Sequence, residues 1–245
     1  AEFYERAAHV ETLQGEDGSV TIIGAVSPPA GDFSEPVTSQ TKRYVRCFWA
    51  LDRDRAQARF FPAVHPLTSY SEDVDALARW WQARGNPDWM DHRRQILTLL
   101  EQRARLERMA RIVGKDALPP RQQLTLLFAD LINEALLRQS AFSPVDRYCS
   151  PERQAALVHV ILHFVDRAEQ ALDHDVALER IAAIPVLRRL QRASEEISED
   201  KVAQFRLLMA RLDEAVVSRF LARLQLLVLD EAHVYEGVFG TNMAF

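Results

Sequence analysis

Several groups of residues in this chain have the types and spacing that can do chemistry. His159 and His163 stand four apart in an alanine- and leucine-rich stretch. That spacing brings two imidazoles onto one helix face, and so within reach of one metal ion. Val160 occupies the position where a zinc-protease signature needs a glutamate, and no third ligand is evident. Satisfied or exposed helix histidines are therefore the favoured reading. Asp32 and Glu35 form a second candidate, a carboxylate pair of the kind used for general acid and base work. Trp80, Trp81 and Trp89 form either an exposed aromatic contact surface or, as the spacing favours, packing between two helices. A nucleoside triphosphate site of the phosphate-loop kind needs the pattern GxxxxGK followed by Ser or Thr. None of the glycines completes it.

These residues must be positioned by a globular chain. Its 245 residues, 48% apolar, allow one large or two ordinary domains with a real core. The formal charge of −5 offers no overall electrostatic attraction for nucleic acid or anionic membrane. Cys47 and Cys149 are too few for a disulfide framework or a thiolate zinc site; they read as buried thiols in a reducing compartment. No apolar run reaches the roughly 18 residues that cross a bilayer, and AEFYERAAHVETL lacks the segments of a signal peptide.

Along the chain, AEFYERAAHVETL reads as a helix running into a turn at Gly15 to Gly18, and the lack of an initiator Met suggests a start in mid-domain. A sheet without its neighbouring strands would expose an apolar face, so poor solubility is expected. Ser19 to Val26 is a β-branched run between Gly18 and Pro28-Pro29, the pattern of a strand buried on both faces. The loop Ser27 to Thr38 follows, then a second apolar run, Tyr44 to Leu51, leading to Asp52 as the cap of a short helix through Ala58. Pro62 biases the residue before it away from helical angles, so Phe60-Phe61-Pro62 ends that helix.

From about Ser71 the pattern turns helical, with apolar residues spaced three and four apart among Arg and Glu. The predicted helices are Asp88 to Val113 closed by Gly114, Pro119 to Gln139, Pro151 to Leu172, Val176 to Ile184 and Ser198 to about Leu212. The simplest reading of the charged rows is solvated helix faces. LQLLVLDEAHVYEGVFGTNMAF then breaks character as a strand, an acidic turn and the start of a helix.

The motifs AEFYERA, GSVTIIGAVSPPAGDFSEPVT, RCFWALD, RFFPAVHPLTSYS and AFSPVDRYCSPERQ stand in the order, and with the spacing, of one family. From Ala1 to about Ala215 the chain resembles the catalytic A subunit of V/A-type rotary ATPases, beyond its phosphate-binding region. Ala30 stands where a second glycine is common in that loop, and VHPLTSY replaces the usual continuation after FPA. The fold class this implies is an α/β remnant of a P-loop-type nucleotide-binding core, followed by a mainly α-helical C-terminal domain, predominantly α overall. Residues 1–70 would be the distal part of the core, 71–215 the helical domain and 216–245 a foreign segment.

The resemblance implies an ion-translocating ATP hydrolase or synthase, for protons or sodium. In it, A and B subunits alternate in a hexameric head around a central rotor shaft, peripheral to the membrane on the cytoplasmic side, with no direct membrane insertion. It implies ATP or ADP with Mg2+ in the intact complex and none tightly bound by this chain, which lacks the phosphate loop and is expected to be inactive alone. The helices between Asp88 and Leu212 would supply the lever that touches the shaft. Phe61, in FPA, and Phe142, in AFSPVD, match the positions that wall the adenine ring, with Phe60 as plain core; Asp32 and Glu35 look like loop residues near the subunit interface. Two stacked contacts at ~1–3 kcal/mol each give at most ~6 kcal/mol, below the ~8 kcal/mol of a micromolar complex. A non-catalytic variant of this reading is an assembly module seated beside a B-type subunit.

Phe220 to Phe245 resembles the second conserved motif of superfamily-2 DEAH helicases, which implies Asp230 holding Mg2+ through water and Glu231 orienting the attacking water. Rotary A subunits do not ordinarily continue this way, so a join near Ala215 to Phe220, by fusion or by assembly artefact, is expected. The alternative function is a nucleic-acid-dependent ATPase, and only there is nucleic acid a partner.

Overall fold

The computed structural model describes residues 2–221, with side chains through Val216. Its first part opens on a 3-10 turn, Tyr4–Arg6, followed by strands β1 (Ala8–Glu11) and β2 (Asp17–Val20). The two pair antiparallel with Ala8 opposite Val20 and Glu11 opposite Asp17. The helix expected over AEFYERAAHVETL is therefore a hairpin arm. Local turn chemistry decides this: Thr12 N donates to Glu16 O at 2.7 Å, Gly15 N donates to Thr12 O at 2.9 Å, and Gly15 takes φ +80°. The buried strand expected over Ser19 to Val26 is also corrected. Only Ser19 and Val20 are in strand, and both are exposed, because among the described residues nothing pairs with residues 21–26. A β-branched run becomes a buried strand only when neighbours supply its hydrogen bonds and cover its faces.

Helix α1 (Pro36–Lys42) starts on Glu35, whose carboxylate accepts from the amides of Val37 and Thr38. Strand β3 (Cys47–Phe48) pairs antiparallel with β4 (Tyr70–Ser71), and Tyr70 Oη donates to Lys42 O at 2.8 Å. Cys47 on this short strand is exposed, against the expectation of a buried thiol, whereas Cys149 is half-buried and burial pushes its thiol pKa up. Between the strands lies α2 (Arg53–Gln57), capped as expected by Asp52, whose Oδ1 accepts from Arg55 N at 2.7 Å.

The remainder is helical: α3 (Ala78–Ala83), α4 (Trp89–Val113), α5 (Pro120–Ile132), α6 (Pro151–Asp173), α7 (Leu178–Ala182), α8 (Pro185–Gln191), α9 (Ala193–Glu196) and α10 (Gln204–Leu221). The molecule is predominantly α, as expected. Gly114, at φ +87°, ends α4 where the sequence places its stop. Ser150 caps α6 by accepting from Arg153 N at 3.1 Å. The single helix expected over Pro119 to Gln139 is α only to Ile132. It then widens into a π turn, Asn133–Leu137, with Asn133 Nδ2 turned back onto Ala129 O at 2.9 Å. Val176 to Ile184 is helical only over α7, and α8 and α9 follow it where no helix was expected. Pro185 removes an amide donor and opens α8 as its first residue. Residues 198–212 divide into a 3-10 turn, Glu199–Lys201, and α10.

The core lies among α4, α5, α6, α8 and α10, where Leu124, Phe128, Ile132, Ile161, Phe164, Leu190, Phe205 and Leu212 are fully buried. Phe128 and Phe164 meet edge to face with ring centroids 6.0 Å apart. No helix among the described residues is long and apolar enough to cross a membrane.

Candidate functional site

The segment carrying Phe60 and Phe61 is folded back on itself. Asp52 N donates to Ala63 O at 2.9 Å and His65 N to Ala50 O at 2.8 Å, and Leu51 bridges Val64, so residues 50–65 form a closed loop around α2. Arg59, at φ +61°, reverses the chain at the end of α2, and Phe60 N returns to Arg55 O at 3.0 Å. Phe60 is thereby buried, as expected of a plain core residue, while Phe61 stays 44% exposed.

Phe61 forms an antiparallel β-bridge with Gln139, which follows the π turn after α5. Phe142 is three residues further on and 92% exposed. Its loop is anchored from beneath. Asp146, buried, accepts from Ser140 N at 2.6 Å. Burial raises the Asp146 pKa, against the lowering effects of that amide and of the Arg153 charge. Arg153, also buried, donates to the carbonyls of Val145, Tyr148, Ser194 and Ile197. The two segments that carry the expected aromatic walls are thus joined by backbone pairing, and both rings remain open to solvent.

A cleft of about 430 Å3 between the α2 loop and helices α4 and α5 is lined among others by Arg55, Phe60, His65, Arg103, Asp130 and Asn133. Arg55 Nη2 donates to Asn133 Oδ1 at 3.2 Å, and burial lowers the Arg55 pKa. Arg103 Nε donates to Glu107 Oε1 at 2.7 Å. Its Nη1 lies 2.9 Å from Asp130 Oδ1, an ion pair by distance in which the buried N–H makes no hydrogen bond. The guanidinium groups of Arg55 and Arg138 lie 4.3 and 4.7 Å from the Phe60 ring centroid.

The other candidates have local roles. His163 Nε2 and Arg167 Nε meet Asp213 Oδ1 at 2.8 and 2.7 Å, joining α6 to α10, while the His159 ring stacks on His92 at 5.5 Å. The two imidazoles of α6 therefore have different neighbours, and no group of three or more metal-ligating side chains occurs among the described residues. These residues supply no ligand set for Mg2+. Asp32 accepts from the amide and hydroxyl of Ser34 at 2.9 and 2.6 Å, and Glu35 caps α1, so neither carboxylate is free to act as a paired acid or base. Trp81 is buried and stacks on Trp89 at 4.1 Å, which joins α3 to α4. Asp230 and Glu231 lie outside the described residues.

Residues 1–71 match the model of the ATP synthase alpha/beta family, nucleotide-binding domain, and residues 78–182 match the C-terminal domain of V and A type ATP synthase. The chain is 44% identical over 215 residues to the V-type ATP synthase alpha chain of Halothermothrix orenii, covering 87% of this chain and 36% of that one. It is 48% identical over 205 residues to the A subunit of the A-type ATP synthase of Pyrococcus horikoshii, covering 82% and 21%. The chain belongs to the V/A-type ATP synthase A subunits, as a C-terminal portion. The corresponding A-type protein of Thermococcus onnurineus is 46% identical over 205 residues, with 83% of this chain and 35% of that one covered. The chain thus spans about a third or less of the A subunits it matches.

Within the A-subunit frame one loop residue gains a reason. Ala30, where glycine is common in this loop, adopts φ +55°, a left-handed conformation costly for a residue with a Cβ. Sequence reasoning missed Arg55, Arg103, Asn133, Arg138, Asp146 and Arg153. Arg153 had a signal, three residues after a Ser-Pro helix start. Arg55, Arg103 and Arg138 look like members of ordinary charged helix rows, Asn133 like a neutral helix residue, and Asp146 stands in the AFSPVD motif without a local sign of burial.

Proposed function

We propose that this chain supplies the adenine-side wall of an ATP site in a V/A-type rotary ATPase, with Phe61 and Phe142 as the aromatic surfaces against the base. The β-bridge between Phe61 and Gln139 supports this reading: it joins the Phe61 segment to a residue three positions before Phe142, some eighty residues on in sequence, and both rings are exposed. A purine presents a π face, and open phenylalanines receive it without spending hydrogen bonds. The phosphate loop and the Mg2+ ligands come from outside the described residues, so the chain alone is silent toward ATP. B-type subunits complete the site and the alternating head, and the helices α4 to α10 form the lever facing the rotor shaft. The assembled enzyme translocates protons or sodium ions coupled to ATP turnover, with its head on the cytoplasmic side. The exposed apolar residues of the first part, Leu13, Ile23, Trp49 and Leu51 among them, suit burial in such an assembly.

In an A/B head carrying this sequence, Phe61→Ala and Phe142→Ala should each raise the KM for ATP about tenfold, within the ~1–3 kcal/mol range of an aromatic–base contact. An unchanged KM in both variants would overturn the assignment.

A further inference from the structure

The segments that carry Phe61 and Phe142 are tied together by side chains as well as by the β-bridge. Arg138 leaves the π turn and reaches across to the other segment: its Nη2 donates to Ala58 O at 3.2 Å, and its guanidinium lies over Phe60. On its own side, Nη1 donates to Glu134 Oε2 at 2.6 Å, which fixes the fork. The next residue, Gln139, makes the bridge to Phe61. Residues 58, 60 and 61 are thus gripped by 134, 138 and 139. Arg55 crosses in the opposite sense, from the Phe60 segment to Asn133, and lies over the same ring.

The grip is built rather than incidental. The Nε atoms of Arg55 and Arg138 are buried with no hydrogen-bond partner among the described residues, and beyond the bonds its Nη atoms make each guanidinium has the Phe60 face beside it. The π turn sets the exit direction: Arg138 N donates to Asn133 O at 2.8 Å, five residues back, which a continued α-helix would not do.

We infer that Arg138, with Arg55 as its counterpart, is a positioning residue for base recognition. By clamping Phe60 it sets the spacing between Phe61 and Phe142, and so the preference for a purine over the smaller pyrimidine face. This rests on the reading of Phe61 and Phe142 as the base wall.

The test uses the A/B head with ATP and UTP as alternative substrates, comparing the parent with Arg138→Ala, Arg138→Lys, Phe61→Ala and Phe142→Ala. Arg138→Ala should raise the KM for ATP about fivefold, leave that for UTP within about twofold and leave kcat unchanged, so that the ATP preference narrows. Arg138→Lys, which keeps a cation and a donor, should restore most of that preference. A merely structural lesion would move both nucleotides together. Equal effects on ATP and UTP, or none, overturn the positioning role. If the Phe variants narrow the preference and Arg138→Ala does not, only the clamp fails. If none of the four narrows it, the base-wall reading fails and the clamp falls with it.

Discussion

Residues 2–71 and residues 78–216 are both rich in apolar side chains, yet they use them in opposite ways. In the helical part, apolar side chains from α4, α5, α6, α8 and α10 converge on one core. In the first part, Leu13, Val20, Ile23, Trp49 and Leu51 are exposed, and burial is confined to a few side chains such as Phe48, Ala50 and Phe60. The difference lies in backbone accounting. A helix satisfies its amides within itself, so an amphipathic face is all it needs from its neighbours. A strand takes its hydrogen bonds from neighbouring strands, and among the described residues β1 and β2 pair only with each other, a ribbon with two open edges. Apolar content therefore does not measure burial; the source of the hydrogen bonds decides it.

The contrast breaks most visibly if the helical core is opened. Phe164→Ala removes a ring with no solvent exposure that meets Phe128, and should cost about 3–5 kcal/mol. Urea unfolding of the chain checks this, and a loss below about 1 kcal/mol would mean that the core collapses around the cavity.

A smaller effect sharpens the account of the Phe142 loop. Asp146 has its folded pKa raised by burial, so the folded state disfavours the carboxylate. The associated penalty is absent below the ordinary value of 3.8, grows as pH rises through the folded pKa and is constant above it. Asp146→Asn keeps an acceptor for Ser140 N and removes the charge. The variant should exceed the parent in stability at pH 7 by on the order of 1 kcal/mol, with the gap closing toward pH 3. Thermal unfolding across that range reads the gap, and one that widens on acidification contradicts the burial argument.

The smallest effect is expected on the exposed face. Ile23→Ser should leave the unfolding free energy within about 0.5 kcal/mol, since the side chain is exposed and gives up no packing. It should raise the concentration at which the chain stays monodisperse in light scattering. A large loss of stability would show that the first part buries Ile23 in solution.

Long periodic segments were legible from sequence. The end of α4 follows from Gly114, the start of α6 from Ser150-Pro151, and α2 from Asp52, because caps and prolines act through bonds within a few residues. The motifs likewise pointed to the A-subunit family and singled out Phe61 and Phe142. The hairpin of residues 8–20 was misread because alanines and glutamates suited a helix while the deciding bonds lay in the turn at Thr12 to Glu16. The break of α5 at Asn133 and the roles of Arg55 and Arg138 had no local signature.

By itself the sequence determined where the long helices α4 and α6 lie and what bounds them, and its motif order pointed to the A-subunit family. Each of these depends on interactions spanning only a few residues, or on motif order. The tertiary structure alone decided that Gln139 pairs with Phe61, that two guanidinium groups share Phe60, and that Arg153 serves backbone carbonyls instead of solvent. Most of them, Phe61 with Gln139, Arg138 with Phe60 and Arg153 with Ile197, join residues some forty to eighty positions apart. At such separations a charged side chain reads the same whether it meets water or a buried ring, until the fold brings the partner to it.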